Sequence, residues 1–335
     1  MTAKYNVFKN LIGLLLESKS EAEEIAVANS LTRTYHNLLE DIVANKQYAN
    51  TQPTHIDGGI ALSSQHALDC LKDPLRTVRF IKGTYFAILD AFNRFPNTPI
   101  ELVYAGCGPG APIVIPLLSA FESSQLKITL LDINESSMES VTALIKALEA
   151  ESFFRKPYLG DAIQYKHPSD IPLHIVLSET MDKGLTKEPQ VRITQNLAPQ
   201  LPPNGIFIPE AIHIFTEHSF YSKEPYFDIY KNVLELGPKI KTQGKQPLFS
   251  ITKNVGGEIA FDFLSDVIEV PEGFSETPDI CVFADVIIYK DQKLLKAQSL
   301  ISNPFCVASL YNLKSARYSL HYTTQDIPGW EYIEQ

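Results

Sequence analysis

Ile100-Glu101-Leu102-Val103-Tyr104-Ala105-Gly106-Cys107-Gly108-Pro109-Gly110 sets the fold class. A short apolar run ends in three glycines at alternate positions. The run has the length and β-branched character of a buried strand. Glycines at such a turn admit φ > 0 and let a ligand approach the backbone closely. A helix is predicted from Pro112, where a missing N–H costs nothing, with a kink at Pro116. A second apolar run, 126–131, ends at Asp132, 22 residues after Gly110. An acid at that place can accept hydrogen bonds from both hydroxyls of a ribose. Strand, glycine turn, helix, strand and acid together predict a nucleoside-containing cofactor.

Outward from this unit the chain alternates. Further strands are predicted near Tyr158, at 173–177 and at 206–208, with helices over 137–149 and 191–201. Alternation with buried apolar strands indicates a parallel α/β sheet. Upstream, 5–45 reads as one helix, 46–62 as a loop through Asp57-Gly58-Gly59, and 75–92 as a helix, with Ser63 or Ser64 capping a short one before it. After Pro209 the alternation stops. Runs at 211–215, 248–251, 259–263, 280–289 and 318–322 read as strands separated by turns. The expected architecture is a Rossmann-like α/β domain with N-terminal helices, followed by a mainly β, barrel-like domain. The boundaries are 1–70 for the helices, 71–209 for the α/β domain and 210–335 for the β domain. Residues 211–322 are expected to make no contact with the cofactor's adenosine.

The chain has 335 residues, 44% of them hydrophobic, and a formal charge of −10. That charge argues against a nucleic-acid partner, whose affinity is largely electrostatic. Four scattered cysteines, Cys70, Cys107, Cys281 and Cys306, give no C-x-x-C pair and suggest a reducing compartment. The eight histidines show no metal-binding spacing. The apolar stretch at 11–16 is too short for a membrane span. A cytoplasmic protein without membrane or metal is expected.

Gly106, Gly108 and Ala111 also satisfy a nicotinamide-type pattern, but that fingerprint normally opens its domain, and here about 100 residues precede it. The Gly-x-Gly-x-Gly spacing resembles motif I of class I methyltransferases that use S-adenosyl-L-methionine. Gly160-Asp161-Ala162 is similar to that family's acidic residue near the adenine. The family usually carries an acid where this chain has Tyr104. Three more stretches resemble the protein arginine methyltransferase family. Leu71-Lys72-Asp73-Pro74-Leu75-Arg76-Thr77 is similar to the helix whose arginine holds the cofactor's carboxylate, which implies that role for Arg76. Ser178-Glu179-Thr180-Met181, continuing to Leu185 and Glu188, resembles the family's paired-glutamate loop, with its glutamates nine residues apart. Pro203-Asn204-Gly205-Ile206-Phe207-Ile208-Pro209 resembles the passage into the family's β-barrel.

The resemblance implies a methyltransferase acting on a guanidino nitrogen, in a protein or a small molecule. It implies catalytic roles for Glu179 and Glu188. It implies cofactor contacts from Arg76, Gly106, Gly108, Gly110, Asp132 and Asp161. A guanidinium stays protonated and is a poor nucleophile. Two carboxylates can bind it bidentately and draw charge from the reacting nitrogen. The long polar insert at 221–246 stands where the family has a dimerisation arm, which implies a homodimer. The family's Thr-His-Trp element is missing after Ile301-Ser302-Asn303-Pro304, and Trp330 lies far downstream. A methyltransferase of another nucleophile, a nicotinamide-dependent dehydrogenase and a catalytically silent scaffold remain alternatives.

Overall fold

The computed structural model describes residues 3–42, 50–219, 245–257, 259–270, 279–309 and 315–335. The insert at 221–246, apart from its last two residues, lies outside the described residues. The N-terminal region is two helices and not one: α1 (Ala3–Glu17) and α2 (Glu21–Ile42). Serines break it. Ser18 Oγ donates to the Leu15 carbonyl at 2.6 Å, and Ser20 Oγ accepts from the Glu23 N–H. Such local side-chain bonds compete with helix. The expected loop at 46–62 contains a hairpin, β1 (Thr54–Ile56) with β2 (Gly59–Ala61). Asp57-Gly58 is its two-residue turn, with Gly58 at φ +91, and Asp-Gly is a favoured sequence for such turns.

α3 (Ser64–Asp69) follows, capped by Ser63, and then α4 (Pro74–Arg94). Asp73 caps α4 by accepting the Arg76 N–H, and Pro74 occupies the first turn. The parallel sheet comprises β3 (Ile100–Ala105), β4 (Leu126–Asp132), β5 (Tyr158–Leu159), β6 (Ile175–Ser178) and β7 (Ile206–Ile208). Its order is β5-β4-β3-β6-β7, and every pairing is parallel. The chain leaves β3 toward one edge and returns to pair β6 on the other side, so a switch point lies at the C-terminal end of β3. α5 (Glu135–Ala147) and α6 (Gln190–Leu197) connect strands. The helix predicted from Pro112 does not form. Turns lead instead into a short 3₁₀ segment, Pro116–Ala120. Pro116 has no N–H, so the helical bond from residue 116 back to the residue 112 carbonyl cannot exist.

β8 (Ala211–Ser219), β9 (Gln246–Thr252), β10 (Asp262–Leu264), β11 (Ile268–Glu269), β12 (Asp279–Tyr289), β13 (Gln292–Leu294), β14 (Phe305–Ser309), β15 (Arg317–Thr323) and β16 (Gly329–Glu334) complete the chain. They form two antiparallel sheets. One has the order β13-β12-β8-β9 with β14 on β12; the other has β10-β15-β11 with β16 on β15. The fold is therefore a Rossmann-like α/β part followed by a mainly β part. α4 joins them. A Cβ on its Gly83 would sit 2.6 Å from Ile288 Cγ2, so only glycine lets the helix lie this close to β12. Buried residues of both parts belong to one continuous hydrophobic cluster.

Candidate active site

A pocket of about 1060 Å³, counted out to its mouth, opens at the C-terminal ends of β3, β4 and β6. Arg76, Gly106, Gly108, Gly110, Asp132, Asp161, Glu179 and Glu188 all line it. All its lining residues lie between Ile56 and Ile193, and none comes from β8–β16.

Gly106 (φ +71) and Gly108 (φ +63) are left-handed. A Cβ on Gly106 would sit 2.4 Å from Thr180 Cγ2. The buried Asp132 carboxylate holds this turn in place. Its Oδ2 accepts the Gly108 N–H at 2.8 Å, and its Oδ1 accepts the Asn134 N–H at 2.9 Å. Each oxygen has a second lone pair for a ligand. Burial raises the Asp132 carboxyl above its ordinary value, against those N–H bonds. Asp161 is half-buried and accepts the Ile163 N–H. Tyr104, in the place of the family's acid, is buried in the same wall.

Arg76 and Glu179 form a buried ion pair through Nη2 and Oε2, their side chains 9% and 8% exposed. The other Glu179 oxygen, Oε1, is buried and meets no donor among the described residues. A buried carboxylate oxygen without a donor is costly. Burial pushes the Glu179 carboxyl up, while Arg76 pulls it down. Glu179's charge keeps Arg76 protonated despite its burial. Glu188 is pushed up to about 8, first by burial and then by the charge of Glu179. Cys70 shares this corner, and burial raises its thiol to about 11, which marks it as a neutral wall residue.

The segment joining the two glutamates is strained. Gly184, Leu185 and Lys187 all have positive φ, near 60°. Leucine and lysine rarely adopt that region. Contacts from distant elements hold them there. Trp330 Nε1 donates to the Gly184 carbonyl at 2.7 Å, and Tyr322 Oη donates to the Leu185 carbonyl at 2.9 Å. The Lys187 N–H reaches the Pro328 carbonyl at 2.8 Å, and the Ile60 N–H of β2 reaches the Lys187 carbonyl at 2.8 Å. At the other end, Gln190 Oε1 accepts the Thr180 N–H at 3.0 Å, which anchors the residue after Glu179. The sequence gives no role to the hairpin, Gln190 or Trp330. Only the hairpin carried a local signal, its Asp-Gly turn.

These features define a class: a glycine-turn pocket at the switch point of a Rossmann-like sheet, with an antiparallel β part bracing its acidic loop. Solved structures share this fold. The crystal structure of PRMT6 matches at a TM-score of 0.54 and 12% identity, over 80% of this chain and 98% of that one. Protein arginine methyltransferase 10 of Arabidopsis thaliana matches at 0.51 and 13%, over 80% and 97%. The fold is thus that of a protein arginine methyltransferase. No family model matches the sequence, and no curated protein matches it either.

Proposed function

We propose that the chain is an S-adenosyl-L-methionine-dependent methyltransferase whose acceptor is a guanidino nitrogen, of arginine in a protein or in a small molecule. One observation carries this reading: Glu179 and Glu188 meet in the glycine-turn pocket, and one Glu179 oxygen is buried there without a donor. The likeness to structures named as arginine methyltransferases supports it.

The residues present fit the cofactor. Arg76 suits its carboxylate, Asp132 its ribose hydroxyls, Asp161 its adenine side, and the bare Gly106–Gly110 backbone its close approach. When bound, its methyl sulfonium supplies the electrophile. Glu179 Oε1 and the Glu188 carboxylate grip the planar acceptor and orient its attacking nitrogen. Arrival of a cation favours ionised Glu188, because opposite charge stabilises the carboxylate. Glu188 then takes the proton released at the methylated nitrogen.

The test is turnover of methyl-labelled cofactor on arginine and arginine-containing peptides. Glu179→Gln and Glu188→Gln should each lower kcat by at least about tenfold, since each leaves a buried cation half paired. Affinity for S-adenosylhomocysteine should change little in Glu188→Gln. Normal turnover in both variants would mean that the acceptor is not a guanidinium. Tighter binding of a nicotinamide dinucleotide by calorimetry would favour the dehydrogenase alternative.

A further inference from the structure

We infer that Trp330, in the last strand of the antiparallel part, is a positioning residue that fixes the paired glutamates through the loop between them. This rests on the methyl-transfer reading above. Glu179 stands at the end of β6, anchored by the sheet, whereas Glu188 follows a loop with three left-handed residues. The separation of the two carboxylates is therefore set by that loop. Left to itself, a chain with Leu185 and Lys187 at positive φ relaxes toward ordinary conformations.

Trp330 is the chain's one tryptophan. Its indole N–H is spent on the Gly184 carbonyl, in a buried position. The ring is itself fixed: Phe249 stacks on it at 5.8 Å and 18°, and the Tyr322 ring lies 4.9 Å away. Tyr322 reinforces the hold through the next carbonyl, that of Leu185. Gly184 has no spare room, because a Cβ there would sit 3.1 Å from Val282 Cγ2 and 3.3 Å from Phe305 Cβ. Neither Trp330 nor Tyr322 lines the pocket. Any effect on chemistry must therefore pass through the backbone of 184–188.

The experiment compares wild type, Trp330→Phe and the milder Tyr322→Phe, each also in a Glu188→Gln background. The S-adenosylhomocysteine Kd is read by calorimetry, kcat with labelled cofactor and arginine acceptors, and amide hydrogen exchange over 185–188 by mass spectrometry. Each single variant should lose about tenfold in kcat, since small misplacements cost that much, while Kd stays within about twofold. Neither should lose more when added to Glu188→Gln. Exchange over 185–188 should quicken while the parallel sheet is unchanged. Wild-type kcat in both variants, or equal loss of kcat and cofactor affinity, overturns the inference. If wild type methylates no guanidino acceptor, the functional reading fails instead. The exchange data then decide alone, and unchanged protection over 185–188 overturns the clamp.

Discussion

Glu188 carries a proton near neutrality because it is buried beside Glu179, with Asp182 adding to the repulsion and Arg76 and Lys187 opposing it. Its value, about 8, lies above the ordinary 4.5. Between those two pH values the native chain holds a proton that the unfolded chain has lost, so stability falls as pH rises through this window. Glu188→Gln removes that loss. The melting temperature of the variant, relative to wild type, should climb between pH 5 and pH 8 and level off above that by scanning calorimetry. A constant difference across that range would mean that the carboxyl is ionised throughout. Activity runs the other way. On the proposed reading the ionised form grips the acceptor, so kcat/KM should rise to a plateau above about pH 8 and lose that limb in Glu188→Gln. One residue thus lowers stability in the same range where it becomes active.

The glycine turn is an element whose shape its sequence dictates. Ala in place of Gly106 would have to sit at φ +71 and push Thr180 aside. The backbone conformation alone costs about 1–2 kcal/mol. Gly106→Ala should therefore weaken S-adenosylhomocysteine binding by at least about tenfold, a figure that calorimetry reads directly. Unchanged affinity would show that the ligand does not approach this turn. Such local elements were legible in the sequence: the strands of the parallel sheet, the cap at Ser63, and the motif residues that the fold brings to one pocket. Their signals lie within a few residues of each other. The helix expected after Gly110 does not form because Pro116, read as a kink, ends it before it starts. β11, β13, β14 and β16 went unseen because strands of two to six residues owe their existence to partners far along the chain. Trp330 is the clearest case. Nothing around it in sequence points to Gly184.

At the scale of the whole molecule, α4 serves both halves. Arg76 in its first turn lines the pocket, and Gly83 two turns later lies against β12. Asp73 caps the helix with one oxygen and with the other accepts Ser299 Oγ and the Leu300 N–H, both at 2.7 Å. With one hydrophobic cluster running through both parts, unfolding should be a single transition by circular dichroism and by Trp330 emission alike. Gly83→Ala overpacks the junction and should cost about 1–3 kcal/mol, moving both signals down together. Separate shifts would show that the halves unfold independently. The hold of Trp330 on Gly184 also has a consequence in time. The two residues are 146 apart in the chain. At ribosomal speeds of about 5–20 residues per second, roughly 7–30 s separate their synthesis. Every pocket-lining residue is made before β8, and the tryptophan that shapes the glutamate loop comes much later. A nascent chain therefore carries every pocket-lining residue well before it carries the brace on the glutamate loop. On the proposed reading, newly made copies become competent for methyl transfer only after their pocket is complete.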